Sequence, residues 1–277
     1  MPELPEVETI RLELEPLLPG RVFDRPVLHM PATIGYPQPE AFSAGLEGKI
    51  VKKLRRRGKY LIVDLDQGIL AVHLRMTGNL IFSASGFLDQ ERFLRVTMPF
   101  RDGSALLFLD MRRFGRLWLL RDEAELNRIV LCNVGPDYYT ELNREQFIEK
   151  LEERQHSRLK TLLLDQRFAS GMGNIYTDEC LHSCGLHPEA AVSSMDRKAR
   201  GKLFDTIQAV LEKGIKYGGT SFRDYRSSSG ALGDFQAHLK VYGRKGEKCR
   251  CGGMICKTIV AGRGTYYCSA CQSGTEE

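Results

Sequence analysis

Five of the chain's eight cysteines, Cys249, Cys251, Cys256, Cys268 and Cys271, crowd the last 29 of its 277 residues. In a reducing compartment a thiol cluster of that density binds metal rather than forming disulfides. Cys268 and Cys271 have the two-residue spacing of half a tetrahedral zinc site, and Cys251, with 16 intervening residues, begins the other half. Cys249 is the expected fourth ligand, although Cys-x-Cys is tighter than the usual knuckle, and Cys256 is the alternative. Four thiolates leave no open coordination position, so one Zn²⁺ here is expected to be structural. It would supply folding energy that a segment of about 25 residues cannot draw from a core. Between the two halves, β-prone residues flank Gly262-Arg263-Gly264. That pattern predicts a hairpin offering Arg263 either to a phosphate or simply to solvent.

The opposite end of the chain carries different chemistry. Met before a small residue is normally removed, which would leave Pro2 as a secondary amine with a pKa of about 7.7–8.0, partly neutral near pH 7. Such an amine can attack a carbon electrophile and form an iminium, an electron sink. Glu3 and Glu6 stand close by as acid/base groups. The plainer reading is that Pro2 begins a helix and the glutamates favour its dipole.

These residues need elements to position them. Leu4, Val7, Ile10, Leu14 and Leu17 recur at helical spacing, which predicts an amphipathic helix over 3–18. From Arg21 to Arg121 the pattern turns to short β-rich runs: Tyr60–Leu65, Ile69–Leu74, Phe93–Met98, Ala105–Leu109 and Leu117–Leu120. The spacing leaves no room for crossover helices, so an antiparallel sandwich or barrel is expected. After Asp122 the periodicity is helical, with Glu123–Val130, Arg144–Glu153, Leu159–Leu164, Ile175–His182 and Arg197–Tyr217 as candidates, and a break at Gly135-Pro136-Asp137. The Gly- and Ser-rich stretch 218–233 reads as a linker or as a loop closing over a ligand. The expected fold is α+β and multidomain: an N-terminal antiparallel β-sandwich with a flanking helix over 1–130, a helical region over 131–240 and a cysteine-rich ribbon over 241–277.

The net charge of +5 averages over uneven segments. Residues 1–15 hold five carboxylates, Lys49–Lys59 holds seven basic residues and no acid, and 213–277 holds 11 Lys+Arg against 5 Asp+Glu. Basic blocks beside a carboxylate-bearing end suit a polyanion binder, though a solvated face gives the same pattern. No apolar run approaches the about 20 residues of a membrane span and no signal-peptide pattern opens the chain, so a soluble intracellular protein is expected.

Met1-Pro-Glu-Leu-Pro-Glu-Val-Glu-Thr9, Gly171-Met-Gly-Asn-Ile-Tyr176 and the terminal cysteines, taken in order, resemble the formamidopyrimidine-DNA glycosylase family. The likeness runs through Arg57-Gly-Lys-Tyr60, His73-Leu-Arg-Met76, Asp110-Met-Arg-Arg-Phe-Gly115 and Leu239-Lys-Val-Tyr-Gly-Arg244. It implies a bifunctional glycosylase and abasic-site lyase acting on duplex DNA, with a helix-two-turn-helix element within 131–240 and a zinc ribbon. By that resemblance Pro2 is the Schiff-base nucleophile, Glu3 the proton donor in ring opening, Lys59 the lysine of β-elimination and Arg263 the arginine of δ-elimination and phosphate contact, with Glu6 a supporting acid.

An extruded base leaves a void. Met76, Arg112 and Phe114 match the family's void-filling residues, and an Arg facing the widowed base favours cytosine and hence an oxidised guanine as the lesion. His73, Lys160 and Asn174 match phosphate contacts, Asn174 being expected as an N-cap in a Gly-opened turn. Arg223 and Tyr225 match the lesion-capping loop 218–233. Phe93 stands where many relatives carry a DNA-contacting His, a contact Arg95 could take over. Leu4 and Arg223-Asp224-Tyr225 favour oxidised purines over the oxidised pyrimidines of the related endonuclease VIII enzymes. A non-catalytic DNA binder of the same fold is disfavoured by Pro2, Glu3 and Lys59 occurring together. A monomer acting on bacterial chromosomal DNA in the cytoplasm is expected.

Overall fold

The computed structural model describes residues 1–86, 92–221 and 226–273. In chain order the helices and strands are α1 (Leu4–Leu14), β1 (Val27–Leu28), β2 (Ile34–Tyr36), α2 (Pro39–Leu46), β3 (Val51–Arg57), β4 (Tyr60–Leu65), β5 (Ile69–His73), β6 (Gly78–Ser83), β7 (Leu94–Pro99), β8 (Ala105–Asp110) and β9 (Arg116–Leu120). There follow α3 (Glu123–Ile129), α4 (Arg144–Glu152), α5 (Leu159–Leu164), α6 (Asn174–Cys184), α7 (Arg197–Lys216), β10 (Ile255–Val260) and β11 (Arg263–Cys268). The chain forms two compact units, one of residues 1–133 and 215–236, the other of 134–214 and 237–277. These units cut across the boundaries read at 130 and 240. The stretch 215–236 belongs with the strands, and the cysteine-rich end belongs with the helices rather than standing apart.

In the first unit a five-stranded sheet, ordered β2-β9-β5-β4-β3, and a four-stranded sheet, ordered β1-β7-β8-β6, form the β-rich body. All pairings are antiparallel except the short parallel β2·β9 contact. A single apolar cluster joins side chains of α1, such as Val7, Ile10 and Leu14, to Leu61, Val63, Leu70 and Val72 of one sheet and Leu80, Val96, Leu106 and Phe108 of the other. Each such side chain, taken out of water, contributes about 1.5–3 kcal/mol. Helix α1 lies on β3 and β4. It stops at Leu14, four residues short of the predicted end. Leu17 is left exposed while Leu18 turns inward.

In the second unit α5 reads Leu159-Lys-Thr-Leu-Leu-Leu164 and is buried on most of its surface, so it packs inside the helical body. Its neighbour α6 packs against both α5 and β11. Strands β10 and β11 pair through a two-residue turn, Ala261-Gly262, with Val260 opposite Arg263. Both turn residues have positive φ, 49° and 70°, as a tight hairpin of this twist requires. Among the described residues no helix is long and apolar enough to cross a membrane.

Candidate active site and nucleic-acid interface

In the first unit the N-terminal chemistry is held by α1. Pro2 and Glu3 are buried, Glu3 to 2% exposure, and Glu3 is the N-cap residue of the helix. Its backbone N–H donates to Glu6 Oε2 at 2.7 Å. The other oxygen, Glu6 Oε1, accepts from the Thr220 backbone N–H at 2.7 Å and from Thr220 Oγ1 at 2.9 Å. One carboxylate therefore clasps both the head of α1 and the foot of the 218–233 stretch. Gly219 lies against it with φ +77°, and a Cβ there would come within 2.6 Å of Glu6 Oε1, so only glycine fits.

Lys59 occupies the tight turn between β3 and β4, where Gly58 has φ 57°. It is buried to 6% exposure. Three residues earlier in the basic run, the Arg56 guanidinium pairs with Glu8 Oε2 at 2.8 Å and donates to Gly58 O at 3.0 Å. Glu8 belongs to α1, so this pair ties the Lys59 turn to the helix that carries Pro2 and Glu3. Arg56 and Glu8 escaped the reading of the sequence, because Lys49–Lys59 looked like a uniformly solvated block. The detectable signal was the alternation of β3, which turns Leu54 and Arg56 inward.

The strand-end loops of this unit carry Met76, Arg112 and Phe114. Met76 and Phe114 are 38% and 47% exposed, unlike core residues of their type. The Arg112 guanidinium lies over the Phe114 ring, 5.1 Å from its centroid. Arg75 and Arg113, beside them, have φ of 55° and 64°, a left-handed conformation costly for a side chain of this size and found where function imposes it. Buried Asp110 holds both loops. It accepts from Thr77 Oγ1, from the Arg112 N–H at 3.1 Å and from the Gly115 N–H at 2.7 Å. A Cβ on Gly115 would meet Phe108 at 2.4 Å.

His73 is buried beside Tyr60, ring centroids 4.5 Å apart, and its Nδ1 accepts from the Arg75 N–H at 2.9 Å. Burial, with the charges of Arg75 and Lys59, pushes its pKa down to about 3, so the imidazole is neutral at pH 7 and Nε2 is left as a donor. Phe93 lies outside the strand predicted for it, and Arg95 Nε donates to Asp110 O at 2.8 Å.

Around the 218–233 stretch, Ser228 O accepts from the Phe82 N–H, the Arg226 N–H donates to Asn79 Oδ1 and Ser228 Oγ donates to Glu13 Oε2. The loop residues Arg223 and Tyr225 lie outside the described residues.

In the second unit two expectations are corrected. The N-cap of α6 is Gly173, and Asn174 is its first helical residue. The Asn174 amide instead donates to Gly264 O at 2.8 Å, beside Arg263 in the hairpin. Lys160 is not open to a phosphate. Because α5 is buried on most sides, its ammonium points inward and is 0% exposed, paired with Asp178 Oδ1 at 2.6 Å and donating to Thr265 Oγ1 at 2.7 Å. Asp178 Oδ2 also accepts from the Tyr266 N–H at 2.8 Å, and burial pushes its pKa up to about 7 against the pull of Lys160. Arg263 itself is exposed at the start of β11.

Helix α6 meets the ribbon at further points. The Glu179 carboxylate accepts from three successive backbone N–H groups, Lys240, Val241 and Tyr242, each at 2.9 Å. Asp178 and Glu179 were missed in the sequence, although Asn174, Asp178 and His182 recur at intervals of four and mark one helical face.

The sulfurs of Cys249, Cys251, Cys268 and Cys271 all lie within 4.8 Å of one another. The Cys249–Cys271 and Cys251–Cys268 separations are 4.0 and 3.4 Å. A tetrahedron with metal–sulfur bonds of about 2.3 Å has edges of about 3.8 Å, so this donor set fits one ion. The tight Cys249-x-Cys251 knuckle completes the cluster, and Cys256 instead approaches Met254 O. His182 Nε2 lies 3.2 Å from Cys249 Sγ, within reach of an N–H···S hydrogen bond. All eight cysteines are free of disulfides.

Residues 1–117 match the formamidopyrimidine-DNA glycosylase N-terminal domain and residues 134–226 the formamidopyrimidine-DNA glycosylase H2TH domain. Formamidopyrimidine-DNA glycosylases of Pelotomaculum thermopropionicum and Bacillus cereus are 40% and 36% identical, each over 98% of this chain and 99% of the relative. The crystal structure of Lactococcus lactis Fpg with abasic-site DNA superimposes with a TM-score of 0.88 at 36% identity, over 98% of this chain and 100% of that one. MutM in complex with carbocyclic 8-oxo-G DNA gives 0.89 at 37%, over 99% and 100%. The β-rich unit, the helical unit and the four-cysteine cluster thus define a DNA glycosylase of DNA repair. The chain belongs to the formamidopyrimidine-DNA glycosylase family, whose members combine glycosylase and abasic-site lyase activity.

Proposed function

We propose that this enzyme excises oxidised purines, 8-oxoguanine and formamidopyrimidines, from duplex DNA opposite cytosine and then cleaves the abasic strand. The observation that carries this is the clasp at the head of α1: Pro2 and Glu3 sit under Glu6, and the Lys59 turn is bound to the same helix through Arg56 and Glu8. With Met1 removed, the Pro2 nitrogen attacks C1′ of the deoxyribose as the bond to the base breaks and the base leaves with a proton. Glu3 delivers a proton to the ring oxygen, and the opened sugar remains bound as a cationic iminium. That cation makes the C2′ proton acidic. Its removal, the step assigned to Lys59, expels the 3′ phosphate, and δ-elimination assisted by Arg263 expels the 5′ phosphate. Basic groups at the departing phosphates offset the charge that develops there.

Met76 and Phe114 supply apolar wedges, and Arg112 supplies donors to the widowed cytosine. Neutral His73 can donate to a phosphate through Nε2, and the backbone N–H groups that open α6, beside Asn174, offer another phosphate site. Arg223 and Tyr225 are assigned to capping the extruded base. The four thiolates would hold Zn²⁺, whose chemistry is structural: it fixes the hairpin that presents Arg263. The enzyme is proposed to act as a monomer in the bacterial cytoplasm.

Borohydride reduction during incubation with an 8-oxoguanine·cytosine duplex tests the amine mechanism. A covalent adduct is expected in the wild type and not in Pro2→Gly. Absence of any adduct, or an adduct indifferent to that substitution, refutes it. Faster turnover of an oxidised pyrimidine would assign the enzyme to the other substrate class.

A further inference from the structure

In the first unit the two loops that carry Met76 and Arg112 meet at one hydroxyl. Met76 comes just before β6, and Arg112 and Phe114 lie between β8 and β9. Gly78 and Asp110, at the facing ends of β6 and β8, are paired in register. Thr77, between Met76 and Gly78, is buried although Met76 and Arg112 are exposed. Its Oγ1 donates to Asp110 Oδ1 and accepts from the Arg112 backbone N–H at 2.9 Å. The same N–H reaches Asp110 Oδ1 at 3.1 Å, so hydroxyl, carboxylate and amide close a triangle of contacts. Asp110 Oδ2 accepts from the Gly115 N–H at 2.7 Å, on the far side of Phe114. On the other side of the residue, Thr77 O accepts from Asn79 Nδ2 at 3.2 Å. A hydroxyl suits this place because one oxygen donates to a carboxylate and accepts from an amide at once. Each loop also holds an arginine in the left-handed region, Arg75 in one and Arg113 in the other. Such backbone persists where the surrounding contacts over-determine it, and the Thr77 contacts run directly between the two loops.

We propose that Thr77 is a positioning residue for the choice of base opposite the lesion. Its hydroxyl fixes the Arg112 N–H against Asp110, and so sets the backbone from which the Arg112 guanidinium extends, in step with the neighbouring Met76. The inference rests on the reading of Arg112 as the donor to the widowed cytosine. Cytosine presents two adjacent acceptors on its pairing edge, N3 and O2, whereas adenine presents N1 beside an amino donor. A guanidinium placed to reach both cytosine acceptors therefore loses a partner against adenine. That discrimination exists only while the guanidinium is held in place, because a displaced one no longer engages both acceptors. Thr77 acts through Arg112 and takes no part in bond making or breaking.

The test compares excision from 8-oxoguanine·cytosine and 8-oxoguanine·adenine duplexes by the full-length wild type, Thr77→Val, Thr77→Ser and Arg112→Ala, with kcat and KM separated. Valine keeps the shape of threonine without the hydroxyl. Thr77→Ala replaces it if a methyl facing Asp110 prevents folding. Borohydride trapping on single-stranded abasic DNA, which has no opposite base, reads the amine chemistry alone. Thr77→Val should lower the kcat/KM preference for cytosine over adenine by about tenfold, and trapping on the single strand should not follow that change. Thr77→Ser should restore the wild-type preference, and Arg112→Ala should lose it. A wild-type preference in Thr77→Val, when Arg112→Ala has lost it, overturns the role of Thr77 and leaves the reading of Arg112 standing. Equal slowing against both opposite bases, or slowing on the single strand to the same extent, makes the hydroxyl merely structural and also overturns it. An unchanged preference in Arg112→Ala overturns the reading of Arg112 and this inference with it.

Discussion

Glu6→Gln is the sharpest probe of how the N-terminal site is held. The substitution preserves shape and leaves no cavity, yet every contact given above for the Glu6 carboxylate is one in which it accepts: from the Glu3 N–H, the Thr220 N–H and Thr220 Oγ1. A glutamine has one oxygen. If that oxygen keeps both Thr220 bonds, the amide N–H₂ faces the Glu3 N–H, donor against donor. If the amide flips, the two Thr220 contacts suffer. A hydrogen bond to a charged group contributes about 1.5–3 kcal/mol and a buried donor left unmade costs about 1–3 kcal/mol. These terms overlap, so a loss of about 2–3 kcal/mol is expected. Trp118, the only tryptophan, lies in β9 of the same unit, so its fluorescence during urea unfolding reports the change directly. Borohydride trapping, run where both proteins are fully folded, should slow at least tenfold, because the backbone that carries Pro2 is no longer anchored. Stability within about 0.5 kcal/mol of wild type would refute the clasp. Lost stability with unchanged trapping would refute its role in positioning the amine.

Two further outcomes follow from the imidazoles of His73 and His182. The His73 pKa is lowered in the folded state, so the unfolded chain binds the extra proton and stability falls as pH drops from about 6.5 toward 3. At pH 5 the wild type should have lost about 2 kcal/mol relative to pH 7.5, a loss absent from His73→Gln. Parallel pH profiles by Trp118 fluorescence would show that His73 is not held neutral. His182→Ala removes the N–H aimed at Cys249 Sγ, and such outer contacts change metal affinity by about 10–100-fold. Zinc transfer to a chromogenic chelator should accelerate accordingly, and an unchanged rate would mean that His182 only packs there.

The sequence carried the chemistry and the periodic elements well. The strand runs from Tyr60 to Leu120 and the helices after Asp122 appear nearly where apolar spacing put them, because periodicity is imposed by burial of one face. What escaped was the direction of polar side chains. Lys160 resembled a surface cation because nothing local records that α5 is enclosed. Asn174 resembled a cap because Gly-Asn before a helix is ordinary cap chemistry, and only the hairpin carbonyl of Gly264 turns it elsewhere. Glu6, Asp110 and Glu179 are carboxylates that organise backbone N–H groups, and for Glu6 and Glu179 key partners are remote in sequence: Thr220 is 214 residues from Glu6, and Val241 is 62 residues from Glu179. The choice of Cys249 over Cys256 likewise waited on geometry, since both are near enough to Cys251 along the chain.

Along α6, Asn174 grips the hairpin, Asp178 holds Lys160 and the β11 backbone, Glu179 gathers the segment before the ribbon, and His182 reaches the four-cysteine cluster. The helix therefore works as a laced strut rather than as a support with a finger hung from it. Any tilt of the ribbon must carry the helix along, so a displacement beside the cysteine cluster at one end is felt at the opening turn at the other.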